Sequence, residues 1–334
     1  MKANRASIEA KSITYKKRKI RKLIGIFMVA AGLIWLAQQV TDAPAKIVGG
    51  YVTDVGDRWM MSTNDRTLAQ DHVMAKSAYV MDAESGNVLF YKNENKHMPP
   101  ASTTKMMTAL LALEEVNLEE VVMVGKEVLW AGEDESSAGL RPGQLISWRE
   151  LITAMMLPSG NDAARTIAVQ MGMKHVSAGA TREQAYQAFV KLMNDHAALL
   201  DMRDTHYRNP HGLHERDHYT TAKDLGKLAL VAMKNEDFRN IVQKRDAYIG
   251  TTYQESTDRM TVTNRNQLLQ PESGYYYEGA IGIKTGFTDQ AGYCLVSSAV
   301  RDGREVIAVV LHSGMEEVWA DSILLLDYGF AHWD

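Results

Sequence analysis

The hydrophobic pattern changes period along the chain, and the changes outline a fold. Residues 77–82 and 87–92 are short β-prone runs around Ala83-Glu84-Ser85-Gly86, which predicts a hairpin. The period then becomes helical. Met106 to Leu113 is apolar and follows the break at Pro99-Pro100, so a helix is expected to start near Ser102. The stretch 121–143 reads as loop with a short strand. Ser147-Trp148-Arg149-Glu150 is a capping box, and Leu151, Ile152, Met155 and Met156 follow at helical spacing as far as Pro158. Residues 159–164 turn into another helix. Thr181-Arg182-Glu183-Gln184 caps a further one with Tyr186, Phe189, Leu192 and Met193 on its apolar face. Asn209 to Leu213 is a loop, and Thr221 to Met233 is helical again.

Beyond residue 278 the strand pattern returns. Gly279 to Gly286 reads as a strand whose glycines allow close approach. Residues 293–300 and 305–311 are apolar strands across the turn Arg301-Asp302-Gly303-Arg304. Ser313-Gly314-Met315-Glu316 is expected to cap a last helix through Leu326. Strands at both ends with helices between predict an α/β fold of the α+β type. It has one antiparallel sheet built from both chain ends, flanked by helices, with an inserted helical lobe.

The N-terminal pattern is of another kind. Residues 16–22 are all Lys or Arg except Ile20, and Leu23 to Ala37 carries no charge, continuing less purely to Val40. A basic flank before an apolar stretch is an export signal, with the flank left in the cytoplasm. The expected division is therefore 1–22 a basic cytoplasmic region, 23–40 a signal-peptide core or an N-terminal membrane anchor, 41–75 a linker, and 76–334 the catalytic domain. Ala43-Pro44-Ala45 has the small-x-small form of a cleavage site. Lys46-Ile47-Val48-Gly49-Gly50 looks like the processed start of a trypsin-like protease, but no Gly-Asp-Ser-Gly-Gly follows, so it is read as linker.

Composition narrows the function. The chain has 334 residues, 46% hydrophobic and 23% charged, an ordinary globular balance. Its single cysteine, Cys294, excludes an internal disulfide and a cysteine metal cluster. Nine of the 37 Lys/Arg and two of the 41 Asp/Glu lie in residues 1–45, leaving 28 basic against 39 acidic side chains in the rest. An acidic body argues against nucleic acid as a partner, because phosphate binding needs basic patches.

The candidate chemistry lies at element boundaries. Ser102 and Lys105 stand three apart at a helix start and share a face. A serine hydroxyl is a poor nucleophile until a base takes its proton, and a lysine kept neutral by burial or neighbouring charge is such a base. Alone, the pair fits equally a helix cap and a solvated first-turn lysine. Two further triplets change the weighing: Ser159-Gly160-Asn161 at a helix–helix turn and Lys284-Thr285-Gly286 in a strand. S-x-x-K, a serine–x–asparagine triplet and K-T-G occur together in penicillin-binding proteins and β-lactamases.

With these motifs, from about Ser77 to Phe330, the chain resembles the serine-type D-alanyl-D-alanine carboxypeptidases, the low-molecular-weight penicillin-binding proteins of peptidase family S11. Leu157 to Ala164, Asn209 to Leu213, His218 to Ala222, Lys284 to Thr288 and Ala291 to Val296 extend the resemblance. It implies the β-lactamase/penicillin-binding-protein-like transpeptidase fold. It also implies hydrolysis of the terminal D-Ala-D-Ala bond of peptidoglycan stem peptides through an acyl-enzyme, without cofactor or metal. In that scheme Ser102 is the nucleophile and Lys105 the general base, its pKa depressed by the Lys284 ammonium. Ser159 relays a proton, and Asn161 holds Lys105 and the substrate amide. Lys284 and Thr285 bind the terminal carboxylate, and Gly286 leaves room for substrate along the strand. The backbone N–H groups of Ser102 and Phe287 form the oxyanion hole. β-Lactam antibiotics are the expected covalent inhibitors.

Three rivals are weaker. A class A β-lactamase deacylates with a glutamate after the second motif, and residues 202–210 contain no Glu-x-x-x-Asn. A zinc hydrolase has His206, His211, His214 and His218 to draw on, but their spacings fit no His-Glu-x-x-His helix. A non-catalytic wall-binding protein is disfavoured by three intact triplets. Many relatives carry a C-terminal β-rich domain and an anchoring helix, whereas this sequence stops at Asp334, which shifts the expected membrane attachment to Leu23–Val40. Cell fractionation is expected to find the protein with the membrane and with residues 23–40 retained; a mature N-terminus near Lys46 would show a cleaved signal instead.

Overall fold

Strand β1 (Ser77–Asp82) pairs with β2 (Val88–Lys92) on one side and with β9 (Arg304–Ser313) on the other. Strands β8 (Gly292–Arg301) and β7 (Ala280–Thr288) complete a five-stranded antiparallel sheet in the order β2-β1-β9-β8-β7. These are the hairpins expected from the sequence, and the β1–β9 ladder, from Ser77↔Leu311 to Asp82↔Val306, joins the two ends of the domain. The computed structural model describes residues 70–132, 134–254 and 256–332, all within one compact unit, 54–334. The basic run, the apolar segment 23–40 and the Ala43-Pro44-Ala45 site lie outside the described residues. Among the described residues no helix is long and apolar enough to cross a membrane.

Both faces of the sheet are covered, which explains why β1 is buried at all six positions. Alternation sends Tyr79, Met81, Ile307 and Val309 into the core shared with the helical lobe. Ala78, Val80, Val306, Ala308 and Val310 point the other way, against Val318, Leu325 and Leu326 of the last helix, α7 (Glu317–Ala331). The lobe inserted between β2 and β7 holds α1 (Lys105–Glu115), α2 (Trp148–Met156), α3 (Asn161–Gly172), α4 (Arg182–Leu199), α5 (Ala222–Ala232) and α6 (Glu236–Val242). The capping boxes at Ser147/Glu150 and Thr181/Gln184 form as their sequences predict.

Three local readings change. Ser313 does not cap the last helix. It ends β9, and its hydroxyl donates to Asp321 Oδ2 at 2.8 Å, while the N–H groups of Met74 and Ala75 donate to the same carboxylate. The helix has no side-chain cap and runs on to Ala331. Val73 and Ala75, at the end of the expected linker, are buried in the core beneath α7, so packing begins before residue 76. Finally, a second sheet, β3 (Val121–Met123), β4 (Leu145–Ser147), β5 (Asp246–Tyr253) and β6 (Ser256–Thr263), stands beside the lobe in that order. Its β5–β6 hairpin leaves almost no apolar trace in the sequence, because only Ile249, Thr251 and Val262 are buried in it.

Glu150 ties this second sheet to the lobe. Its Oε2 accepts from the Ser147 hydroxyl at 2.7 Å, and its Oε1 accepts from the Gly250 N–H of β5 at 2.8 Å. Ser147→Ala is expected to cost about 1 kcal/mol of stability, a fall of roughly 2–4 °C in Tm for a domain of this size. An unchanged Tm would mean that the box contributes nothing measurable.

Candidate active site

The residues around Ser102 form a turn before they form an α-helix. After Pro99-Pro100 the chain makes a 3₁₀ turn, Ala101–Thr104, and α1 begins only at Lys105. With three residues per turn, positions i and i+3 eclipse, so Ser102 and Lys105 stand directly over one another. The threonine hydroxyls hold the turn: Thr103 Oγ1 donates to Pro100 O at 2.7 Å and Thr104 Oγ1 to Ala101 O at 2.8 Å. Ser102 caps neither helix, so the reading of this serine as an N-cap fails.

Lys105 is fully buried. Its Nζ lies 2.9 Å from Ser102 Oγ, 2.7 Å from Asn161 Oδ1 and 2.7 Å from His211 O. Burial is the largest cause that lowers its pKa well below 10.5, followed by the charges of Lys284, Arg165 and Arg265, with Asp162 opposing. The sequence reading assigned the depression to Lys284; desolvation outranks it. A neutral amine has two N–H bonds and one lone pair. Asn161 Oδ1 and His211 O take the two hydrogens, which leaves the lone pair facing the Ser102 hydroxyl.

The second acceptor, His211 O, comes from the loop Asn209–Leu213, and a glycine lets it reach. Gly212 has φ +92°, and a Cβ there would sit 1.8 Å from Ala101 O. Asn209 Oδ1 accepts from the Gly212 N–H at 2.7 Å and holds the loop against the Ser102 turn. Gly286 makes the matching approach from β7: its Cβ would lie 3.0 Å from Ser102 N and 3.0 Å from Ala101 Cβ. The glycine thus allows a close contact between strand and nucleophile turn, and it also lines the cleft where the sequence reading expected room for substrate.

Asn161 is the first residue of α3, and Asp162 lashes the loop 137–140 to that helix start. Asp162 accepts from Ser137 Oγ and from the N–H groups of Ala138 and Leu140. Ser159, in the left-handed region at φ 66°, is buried, and its hydroxyl has no partner in the structure. Lys284 is buried in β7, with a pKa lowered to about 7 by burial and then by Arg265. Both lysines are depressed, Lys105 by burial and by the charges of Lys284, Arg165 and Arg265, and Lys284 by burial and by Arg265.

These groups open onto a cleft of about 350 Å³ lined by Ser102, Ser159, Asn161, Thr285, Gly286 and Phe287, among others. Its wall on one side is β7, an edge strand of the five-stranded sheet. The half-exposed Phe287 ring lies against Tyr293 at 4.4 Å between centroids. The residues given roles in the acyl-transfer scheme are therefore gathered at this cleft, with Lys105 behind Ser102 and Lys284 near enough to act on it. Sequence reading did not assign roles to His211 O, Glu135, Arg165 or Arg265. A backbone carbonyl leaves no signature, and the three charged residues belong to no triplet.

The histidines do not converge. His218 Nδ1 accepts from Arg208 N at 3.2 Å, so its Nε2 donates to Thr104 Oγ1 at 3.0 Å. His211 Nδ1 accepts from Leu213 N, and its Nε2 donates to Tyr186 OH. Among the described residues no group of three or more His, Cys, Asp or Glu side chains is arranged to hold a metal ion.

A cleft serine backed by a buried lysine beside an edge strand is the arrangement of a serine-type acyl-transfer hydrolase. The sequence profile of the D-alanyl-D-alanine carboxypeptidases, peptidase family S11, matches residues 64–314, and the chain belongs to that family. It is 34% identical over 278 residues to a D-alanyl-D-alanine carboxypeptidase of Streptomyces sp. strain K15, covering 81% of this chain and 92% of that one. It is 32% identical over 267 residues to DacF of Bacillus subtilis, covering 78% of this chain but only 63% of that protein's length. The crystal structure of the Streptomyces K15 DD-transpeptidase superposes with a TM-score of 0.72 at 34% identity, over 78% of this chain and 98% of that one. The carboxypeptidase structure from Mycobacterium tuberculosis H37Rv gives 0.66 at 32%, over 77% and 91%. The transpeptidase fold expected from the motifs is the fold of the chain.

Buried lysines carry a stability signature. Because Lys284 binds its proton more weakly folded than unfolded, the unfolded chain takes up protons first as pH falls. Stability is then lost as pH drops from the ordinary value of 10.5 through about 7. Relative to wild type, Lys284→Met is expected to gain stability steadily between pH 10 and pH 7 in urea unfolding. A difference that stays constant across that window would mean an ordinary, solvated ammonium.

Proposed function

We propose that the protein removes the terminal D-alanine from peptidoglycan stem peptides. The observation that carries this reading is the placement of Lys105 Nζ, buried and 2.9 Å from Ser102 Oγ, with two other acceptors for its hydrogens. Neutral Lys105 takes the Ser102 proton as Oγ attacks the carbonyl between the two D-alanines. The negative oxygen that forms is bound by the backbone N–H groups of Ser102 and Phe287. The C–N bond breaks, the leaving amine receives a proton relayed through Ser159, and D-alanine departs. Water, deprotonated by the same base, then cleaves the ester and returns the proton to Ser102.

Lys284 and Thr285 bind the terminal carboxylate, which an exopeptidase must recognise. The place of Thr285 in the cleft wall with Ser102, next along β7 from Lys284, supports this assignment. Gly286 keeps β7 against the Ser102 turn, and Asn161 positions Lys105 and the substrate amide. A β-lactam presents a similar carboxylate and carbonyl, and acylates Ser102 in the same way. The catalytic domain, with its core starting at Val73, is exported, and residues 23–40 either hold it at the outer face of the cytoplasmic membrane or are cleaved so that it is released to the cell wall. The basic flank and the cell-wall substrate support that placement.

Mass spectrometry after incubation with benzylpenicillin is expected to show one adduct, on Ser102, absent in Ser102→Ala. The wild-type protein should release D-alanine from a D-Ala-D-Ala peptide with or without a chelator. An adduct elsewhere, or chelator-sensitive release that survives Ser102→Ala, would refute the scheme.

A further inference from the structure

The Asn161 carboxamide has two ends of opposite character, and Lys105 tolerates only one of them. Oδ1 towards Lys105 Nζ accepts an N–H and leaves the amine lone pair free for Ser102. With the amide turned over, Nδ2 would donate to that lone pair and compete with the serine. Something must therefore hold the amide in register, and Lys105 does not do so, since a neutral amine both donates and accepts.

The holding group is a carboxylate. Asn161 Nδ2 donates to Glu135 Oε2 at 3.2 Å. Glu135 is in turn gripped by Arg165, whose Nη2 donates to Oε2 at 2.7 Å and to Oε1 at 2.9 Å, and by the Gly132 N–H, which donates to Oε1 at 2.8 Å. The pair is nearly closed to solvent, with Arg165 side-chain exposure of 5% and Glu135 of 10%. An ionised carboxylate has only acceptors, so the atom facing Asn161 is an acceptor in every rotamer. Only the Nδ2 end of Asn161 can then point to it.

We infer that Glu135, clamped by Arg165, is a positioning residue that locks the Asn161 amide with its oxygen towards Lys105 and so keeps the amine lone pair aimed at Ser102. The inference rests on the acyl-transfer reading of Ser102 and Lys105. Glu135 stays ionised: burial opposes the charge, but the hydrogen bonds from Gly132, Arg165 and Asn161 and the Arg165 charge outweigh it and hold the carboxyl below its usual range. Other charged groups facing Lys105 are Arg165 and Asp162 from α3, Lys284 from β7 and Arg265 from the segment after β6. Arg165 thus has two effects. It fixes Glu135, and its charge disfavours the Lys105 ammonium.

The test is the pH dependence of acylation by benzylpenicillin, with rate constants taken from time courses so that they do not depend on the fraction of folded protein. Glu135→Gln is nearly isosteric but puts an NH₂ where an acceptor was needed. Either rotamer turns that NH₂ towards Arg165, and one of them also faces Asn161. The plateau rate is expected to fall about tenfold to a hundredfold. Its acid limb should move to lower pH, because the Arg165 charge is then uncompensated. Arg165→Met should move the acid limb the opposite way, to higher pH, because a cation that depresses Lys105 is gone. A role confined to stability would move neither limb. Wild-type protein acylated on Ser102, with Glu135→Gln matching it in rate and acid limb, overturns the assignment alone. Loss of rate in both variants with both limbs unmoved also overturns it. Wild-type protein that is not acylated overturns the reading on which it rests.

Discussion

The site is built around a buried amine whose charge its surroundings disfavour. An ammonium loses several kcal/mol of hydration on leaving water, and around Lys105 three other cations add to that penalty. The structure supplies acceptors for two hydrogens, Asn161 Oδ1 and His211 O, and turns the lone pair to the Ser102 hydroxyl. Three elements at the cleft serve that placement. The 3₁₀ turn eclipses serine and lysine, the Asn209–Leu213 loop brings its carbonyl, and α3 presents its first residue.

The two sheets have different parts in this. The five-stranded sheet is closed on both faces by apolar packing, so its shape is rigid, and β7 is left as an edge beside the cleft. Gly286 lets that edge touch the Ser102 turn, which couples the strand to the nucleophile through backbone contact alone. The second sheet is small and polar, and it is tied to the lobe through Glu150. It lies beside the lobe and supplies none of the groups that contact Lys105.

Cationic surroundings act on both lysines. Both are buried and both are depressed, Lys284 with Arg265 facing it, and Lys105 with Lys284, Arg265 and, from α3, Arg165. The same arginine secures Glu135, so the charge that tunes Lys105 and the hydrogen bonds that orient its neighbour come from one residue.

The sequence by itself determined the hairpins at both ends, the capped helices between them, and the three triplets at element edges. These are local matters, written in periods of two and 3.6 and in turn residues within a few positions of one another. It did not disclose the β5–β6 hairpin, most of whose side chains are exposed or only partly buried, or the true start of α7, where Ser313 bonds to Asp321 instead of capping. Only the tertiary structure decided what surrounds Lys105. Its acceptors lie 56 and 106 residues away, and Glu135 and Arg165 carry no motif. Desolvation and charge act through space and sum over every neighbour, so the proton affinity of a lysine is a property of the folded assembly. The sequence named the lysine; the packing around it is what lowers its hold on the proton.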